Sequence, residues 1–289
     1  MKVAITGSTG FLGRGLALAL ISSGHKVLHI TRNLVKCRLV FGDAADFLDI
    51  GSDDRELIEV AQEFGPDVFV HAATHFSRSR DFSDLQRILN GTLTNSIRIF
   101  EAARHIGVPF LNFNSMWQVS SDPLLAGSPY AAAKEAFRTY IHQANLGGLQ
   151  IVRDLFVPDT FGPGDTRGKI IQTLLESRKG GSEPTINNPD ALLDLVYAPA
   201  LTSFLQNELP RISDLPRSLA VIHYPEIKIT DLREFILGDG FQQEPEVDQP
   251  LDYGVDSHSR NSRRTIPEFL EVVFPAKPKL SQALRETLH

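Results

Sequence analysis

The chain has 289 residues, 42% of them hydrophobic, which is enough to bury the core of one large domain with a smaller lobe attached. Its 29 basic and 35 acidic residues give a net charge of −6 without a long run of one sign. This pattern excludes a basic surface for nucleic acid or for an acidic membrane. A single cysteine, Cys37, excludes an internal disulfide, and no metal site is expected.

The first seven residues are typical of a strand that runs into a turn, so no signal peptide is expected. No apolar run reaches the length that a membrane span requires. We therefore expect a cytoplasmic protein whose partner is a small molecule.

Hydrophobic periodicity predicts alternating strands and helices along the first half of the chain. Strands are expected at residues 2–6, 26–31, 67–71 and 110–114, and helices at 11–23, 54–64, 85–105 and 129–144. Strands separated by helices of ten or more residues predict an α/β fold, in which a parallel sheet is covered by helices on both faces.

The regular alternation ends near residue 160, where glycine- and proline-rich segments begin. We expect a first domain over residues 1–160. Residues 161–289 are expected to form mainly a smaller substrate-binding lobe, with some segments returning to the sheet of the first domain. The stretch 242–261 is polar and receives no assignment.

Three glycines lie between the first strand and the first helix. Gly7 allows a tight turn, Gly10 leaves room for a pyrophosphate, and Gly13 lets the helix pack close to the sheet. The helix N-terminus then offers free N–H groups to the phosphates. A purely structural turn is the alternative, but the order strand, turn, helix, strand favours a Rossmann dinucleotide site. Its predicted contacts are Gly7, Thr9, Gly10, Phe11, Leu12 and Gly13.

Arg32 follows the second strand, at the place where an acidic residue would bind the 2′-hydroxyl of NAD. A guanidinium group there can pair with the 2′-phosphate of NADP. NADP(H) is therefore favoured as the cofactor, with NAD(H) as the alternative if Arg32 is only a solvated surface residue. Further cofactor contacts are predicted after other strand ends, at Asp49, Ile50, Ala72, Ala73 and Thr74.

Tyr130 and Lys134 lie four residues apart at the start of a predicted helix, and so on one face of it. An ammonium beside a phenol stabilises the phenolate and lowers the pKa of the phenol, which suits a catalytic acid. Lys134 can also bind the ribose of the nicotinamide. Ser115 follows a predicted strand and is expected to hold the reacting oxygen, with a capping or turn serine as the alternative. Asn90 is expected to order a water behind Lys134, with a hydrogen bond inside its helix as the alternative.

Together these residues resemble the extended short-chain dehydrogenase/reductase superfamily over most of residues 1–200. The matching motifs are Thr6-Gly7-x-x-Gly10-Phe11-x-Gly13, Val70-His71-Ala72-Ala73, Asn90-Gly91-Thr92, Ser115 and Tyr130-x-x-x-Lys134. Further segments around Ser115, Tyr130, Asp159 and Asp194 resemble nucleotide-sugar epimerases, dehydratases and 4-ketoreductases, in particular those of lipopolysaccharide deoxysugars. The resemblance also implies a homodimer.

The chain departs from this pattern at several positions. Sugar-nucleotide dehydratases carry an acidic pair just after the catalytic Ser or Thr, where this chain has Met116 and Trp117. Many epimerases carry an arginine that binds the substrate diphosphate where this chain has Leu193. Either Arg167 or Lys169 takes over this role, or the substrate is not a nucleotide sugar.

The resemblance therefore implies NADPH-dependent reduction of a nucleotide-linked 4-keto-6-deoxyhexose. A nucleotide-sugar epimerase that uses tightly held NAD is the rival within the same fold. A dinucleotide-sensing protein without catalysis is the rival from another class.

Overall fold

In the computed structural model, residues 1–77, 79–119, 128–144, 151–238, 241 and 269–288 are described. Eight parallel strands form the main sheet: β1 (Lys2–Thr6), β2 (Lys26–Thr31), β3 (Asp46–Asp49), β4 (Val68–His71), β5 (Phe110–Ser115), β6 (Val152–Val157), β9 (Ser218–Val221) and β11 (Glu271–Val273). Their order is β11-β9-β6-β5-β4-β1-β2-β3. The run from β3 to β6 has the 3-2-1-4-5-6 order of a doubly wound dinucleotide-binding sheet, so the predicted α/β fold class is confirmed.

Helices cover the sheet on both faces. Their bounds are α1 (Phe11–Ser22), α2 (Leu34–Phe41), α3 (Asp54–Phe64), α4 (Phe82–Leu89), α5 (Asn95–Ile106), α6 (Pro129–Ala144), α7 (Ile170–Arg178), α8 (Ala198–Glu208), α9 (Ile229–Leu237) and α10 (Leu280–Leu288). Helices α1 and α8 pack on one face, and α3, α5 and α6 pack on the other.

The strands are buried on both faces because alternate residues face two separate cores. In β1, Val3 and Ile5 face the core under α1 and α8, while Ala4 faces the core under α3, α5 and α6. Such strands consist of nearly continuous apolar residues, as parallel strands covered on both sides do. This makes β1 easy to recognise in the sequence.

The long helix predicted at residues 85–105 forms as three consecutive parts. Helix α4 and helix α5 are joined by a π-helical turn over Asn90–Thr94. A π turn places an extra residue in the helical ladder and often occurs at functional sites. The buried Thr92 of this turn anchors the loop after β4, because its hydroxyl oxygen accepts from the amide of His75 at 3.2 Å and lies 3.1 Å from the hydroxyl of Thr74.

A second sheet, in the order β10-β8-β7, lies in the later part of the chain. Its strands are β7 (Asp159–Phe161), β8 (Leu192–Tyr197) and β10 (Tyr224–Lys228). With α7, α9 and α10 it encloses a separate apolar core around Phe161, Leu195 and Leu232. Residues 242–261, left without an assignment above, lie outside the described residues. Across the described ranges, no helix has both the length and the apolarity of a membrane span.

Candidate active site

The glycine-rich turn leaves no room for side chains at two of its three glycines. Gly7 has a φ of +75°, and a Cβ there would lie 2.6 Å from the amide nitrogen of Ala73. A Cβ on Gly13 would overlap the carbonyl oxygen of Gly7. Gly10 caps α1 without a side-chain hydrogen bond, and the first turn of α1 carries no acidic residue. The N–H groups of α1 are thus left for an anion such as a pyrophosphate.

This turn opens into a cavity of about 920 Å³ that also contains the other main group of predicted residues, Ser115, Tyr130 and Lys134. The described residues that line the cavity include one carboxylate, Asp159, and five cationic side chains: Arg32, Lys36, Lys134, Arg167 and Lys169. The whole chain carries −6, so positive charge is concentrated here. Such a cavity suits an anionic dinucleotide and an anionic substrate.

At one end of the cavity, Arg32 lies beside the start of α2. It is exposed, and its guanidinium reaches within 3.4 Å of where a Cβ on Gly91 would be. Asn33 is the N-cap of α2, and its side-chain oxygen accepts from the amide of Lys36 at 2.8 Å. Arg32, Asn33 and Lys36 all line this end of the cavity. The sequence analysis missed Asn33 and Lys36.

Most of the predicted cofactor residues line the cavity. They are Gly7, Thr9, Gly10, Phe11, Leu12, Gly13, Arg32, Ile50, Ala72, Ala73, Thr74 and Lys134. The structure does not bring Asp49 and Asn90 to it. The Asp49 carboxylate accepts from the amide of Gly51 at 2.8 Å, and Asn90 is exposed at the start of the π turn. Gly91 and Asn95 line the cavity instead, because the π turn changes which residues of this helix face it.

Ser115 ends β5 and begins a 3₁₀ turn over Met116–Gln118. Its hydroxyl oxygen accepts from the amide of Trp117 at 3.2 Å, and its own amide donates to Oε1 of Gln118 at 2.8 Å. These reciprocal bonds form a capping box. They fix the serine at the carboxyl edge of the sheet, where ligands bind in this fold.

Tyr130 lies at the start of α6 with its hydroxyl near Thr74. Burial raises the pKa of Tyr130 to about 12, and a hydrogen bond with Thr74 and the charge of Arg167 act more weakly in the opposite direction. The sequence analysis expected Lys134 to lower this pKa. That expectation is corrected, because desolvation of the phenolate is the larger effect in this structure.

Lys134 is buried, with only 6% of its surface exposed. Its Nζ donates to the carbonyl oxygen of Phe113 at 2.5 Å and lies 5.8 Å from the centre of the Tyr130 ring. Burial lowers the pKa of Lys134 to about 8, while the charge of Asp154 opposes the shift. The ammonium is therefore directed at the backbone of β5 rather than at the phenol.

A buried carboxylate supports the site from behind. Asp154 on β6 has no exposed surface and accepts from four side chains. Its oxygens lie 2.9 Å and 2.6 Å from the side-chain nitrogens of Asn112 and Asn114, and 3.2 Å and 2.5 Å from those of Arg138 and His142. Sequence reasoning did not identify this group, because its partners come from another strand, β5, and from helix α6.

Arg167 and Lys169 approach the cavity from the segment after β7. The Arg167 guanidinium stacks 4.2 Å above the ring of Phe11 and pairs with Asp165 at 2.6 Å. Lys169 pairs with Asp159 at 3.0 Å. Both side chains reach the cavity, as a diphosphate-binding role requires, although each already has a carboxylate partner.

The fold and this site together define a class of protein. An uncapped glycine turn at a helix N-terminus, a positively charged cavity and a Ser, Tyr and Lys at its other end are the parts of a nicotinamide-dependent enzyme of the extended short-chain dehydrogenase/reductase type. Within the described residues, no group of three or more His, Cys, Asp and Glu is placed to hold a metal ion.

Comparison with known proteins agrees with this class. A model of the NAD dependent epimerase/dehydratase family matches residues 3–203. The chain therefore belongs to this family, and its cofactor is a nicotinamide dinucleotide.

Individual relatives are distant. CDP-abequose synthase of Yersinia pseudotuberculosis is 22% identical over 200 residues, covering 68% of this chain and 69% of that protein. UDP-glucose 4-epimerase of Mycolicibacterium smegmatis is 28% identical over 160 residues, covering 49% and 50%. The structure of UDP-glucose 4-epimerase of Thermotoga maritima with UDP-glucose has a TM-score of 0.74 and 16% identity, covering 100% of this chain and 97% of that one. This last similarity establishes the shared fold.

Proposed function

We propose that this chain is an NADPH-dependent 4-ketoreductase acting on a nucleotide-linked 4-keto-6-deoxyhexose. The observation that carries the proposal is a cavity that holds Ser115, Tyr130 and Lys134 without an acidic pair beside the serine. Its one carboxylate among the described lining residues, Asp159, is paired with Lys169. A dehydratase needs acid and base groups next to the sugar, so reduction or epimerisation fits this cavity better.

The protonation of Tyr130 suits the proton donor that reduction of a ketone needs. With a pKa raised to about 12, the phenol carries its proton at neutral pH. Reduction of a ketone needs a proton donor at the carbonyl oxygen.

Each residue of the trio then has a distinct role. The bound dinucleotide supplies two electrons and one hydrogen to the carbonyl carbon. Ser115 orients the carbonyl oxygen through its hydroxyl, and Tyr130 donates its proton to that oxygen as the C=O double bond becomes C–O–H. The hydrogen bond with Thr74 and the charge of Arg167 favour the phenolate that Tyr130 becomes, before solvent protons restore it, and Lys134 binds the ribose of the nicotinamide.

The nucleotide part of the substrate would be held by positive charge. Arg167 and Lys169 enter the cavity from the segment after β7 and are suited to a diphosphate. The similarity to CDP-abequose synthase supports a nucleotide-linked sugar as the substrate. The similarity to UDP-glucose 4-epimerase keeps the epimerase as the second candidate.

NADPH is preferred over NADH in this proposal because of the residues at the α2 end of the cavity. Arg32 and Lys36 provide two positive charges there, and the N-terminus of α2 adds its dipole. A 2′-phosphate would be attracted to this end. No carboxylate lines it among the described residues, so nothing there selects the 2′-hydroxyl of NAD.

The proposal is tested by turnover with NADPH or NADH and a 4-keto-6-deoxyhexose nucleotide. We expect NADPH to be consumed in equal amount to the sugar reduced, with a kcat/KM at least about tenfold above that for NADH. Arg32→Ser should remove most of this cofactor preference, because it removes one charge partner of the 2′-phosphate. NADPH loss and the mass of the sugar product are the two readouts.

Arg38→Ser is the matched control, because Arg38 is exposed on α2 and does not line the cavity. It should leave the preference unchanged. A sugar isomer formed without net loss of NADPH would identify an epimerase. Tight NADPH binding without turnover of any nucleotide sugar would identify a sensor.

The homodimer implied by the resemblance also stays a proposal. Exposed apolar side chains on α4 and α6, which pack against each other, support it: Phe82 is 75% exposed, Leu89 49% and Tyr140 38%. Burying such a patch between two copies would remove apolar area from water. Size-exclusion chromatography with light scattering tests the association.

A further inference from the structure

Two aromatic side chains border the catalytic end of the cavity. Phe76 and Trp117, which we call the aromatic wall, have ring centres 5.7 Å apart at an angle of 67°. Phe76 also meets Tyr130 edge-on, with ring centres 5.3 Å apart at 87°. All three line the cavity. Phe76 is 44% exposed, so much of its ring faces open space rather than protein.

The aromatic wall lies immediately beside the groups that would hold the reacting oxygen. Trp117 lies in the 3₁₀ turn that Ser115 caps, and its amide donates to the hydroxyl oxygen of Ser115 at 3.2 Å. Phe76 contacts the ring of Tyr130. A carbonyl oxygen held between Ser115 and Tyr130 therefore brings a neighbouring carbon substituent against the aromatic wall.

The chemistry of this wall is apolar. The cavity's one described carboxylate, Asp159, is already paired with Lys169. Val157 and Pro158 add further apolar lining. A hydroxyl buried against such a surface loses hydrogen bonds to water without replacing them, whereas a methyl group gains contact with the rings.

We propose that the aromatic wall determines substrate specificity, by selecting a carbonyl compound whose adjacent carbon group is deoxygenated, a methyl rather than a hydroxymethyl group. The inference rests on the proposed ketoreductase function and assigns Phe76 and Trp117 to its specificity. It also gives a reason why Trp117 stands where the sugar-nucleotide dehydratases that this chain resembles carry part of an acidic pair.

The test compares two substrates that differ by one hydroxyl: a 4-keto-6-deoxyhexose nucleotide and its 6-hydroxy counterpart, each with NADPH. An apolar pocket discriminates against an added hydroxyl by at most about 100-fold, so we expect a wild-type preference of about 10- to 100-fold in kcat/KM. Phe76→Ala and Trp117→Ala should reduce this preference to less than about threefold, mainly by raising KM for the deoxy substrate.

Leu39→Ala is the matched control, because Leu39 is 83% exposed on α2 and does not line the cavity. It should change neither substrate's kinetics. Unchanged NADPH affinity in all variants shows that they are folded. An unaltered preference in both wall variants, or equal use of the two substrates by the wild type, would overturn the inference.

A second readout separates this inference from the proposed function. Trp117 is the one tryptophan of the chain, so intrinsic tryptophan fluorescence reports on the aromatic wall directly. If neither nucleotide sugar is reduced, the ketoreductase proposal fails. The wall is then tested alone, by titrating the NADPH-loaded protein with 2-methylcyclohexanone and with 2-(hydroxymethyl)cyclohexanone. The inference expects at least about tenfold tighter binding of 2-methylcyclohexanone, weakened by Phe76→Ala. Equal binding of the two ketones would refute it.

Discussion

The two sides of helix α6 hold buried polar groups that differ in how fully the protein satisfies them. On the cavity side, the Lys134 ammonium donates to one backbone carbonyl, and burial lowers its pKa to about 8. Behind the helix, the Asp154 carboxylate accepts from two asparagines, an arginine and a histidine. Few hydrogen bonds therefore offset the burial of the Lys134 charge, whereas four offset the burial of the Asp154 charge.

This difference distinguishes the cavity side of α6, which is open to a ligand, from the Asp154 network behind α6, which holds the side chains of the site in place. The network behind α6 reaches Ser115 through Gln118, which donates to Oδ1 of Asn114 at 3.2 Å and accepts from the amide of Ser115. The cavity side keeps a charge that a bound ligand can still complement. Preorganised but uncompensated groups of this kind are costly to stability and useful for catalysis.

The largest expected effect comes from removing the charge behind the helix. Asp154→Asn would leave Arg138 with Glu135 as its remaining carboxylate partner and would replace an acceptor oxygen by a donor. Removing one partner of a buried ion pair lowers the free energy of unfolding by about 3–5 kcal/mol. Urea unfolding should show a loss of this size. A loss below about 1 kcal/mol would mean that the network is not what stabilises this region.

Glu59→Gln is the matched control for that experiment. Its partner is Arg55 on α3, and the two side chains are 61% and 87% exposed. Such surface pairs contribute about 0–1 kcal/mol, so stability should hardly change.

Lys134→Met is expected to change the free energy of unfolding by a smaller amount and in the opposite direction, towards greater stability. The pKa of Lys134 is about 8 in the folded protein and 10.5 in the unfolded chain, so between these pH values the unfolded chain binds a proton that the folded protein does not. The charged Lys134 therefore lowers the free energy of unfolding fully below pH 8, and this destabilisation fades as the pH rises. Removing the ammonium should therefore stabilise the protein at pH 7 by about 1–3 kcal/mol while abolishing activity.

Thermal unfolding at several pH values checks this prediction. The advantage of Lys134→Met over the wild type should shrink between pH 8 and pH 10. Lys26→Met, at an exposed lysine that begins β2, should show no such trend. An advantage that stays constant with pH would contradict the burial of a charged Lys134.

The sequence predicted those parts of the site that depend on local geometry. The glycine turn needs a left-handed φ at Gly7 and a close approach at Gly13, and both requirements appear in the sequence as glycine between a strand and a helix. The spacing of Tyr130 and Lys134 follows from one helical turn in the same way.

The rest of the site depends on features that periodicity does not report. Gly91 and Asn95, rather than Asn90, line the cavity because the helix contains a π turn at that point. Helix α2, with Lys36, was not predicted, since its apolar residues Val35 and Leu39 face solvent and give no regular pattern. The aromatic residue Phe76 lies in an irregular loop, and Asp154 acquires its partners only through packing of α6 on the sheet.

The most direct test of the account is the rate of NADPH-dependent keto-sugar reduction by Tyr130→Phe. Loss of a general acid lowers the rate by about 10²- to 10⁴-fold, and the variant should bind NADPH as the wild type does, because only the phenol hydroxyl is removed. This pair of results would establish Tyr130 as the proton donor. Turnover within about tenfold of the wild type, at unchanged NADPH affinity, would contradict the central claim that Tyr130 supplies the proton.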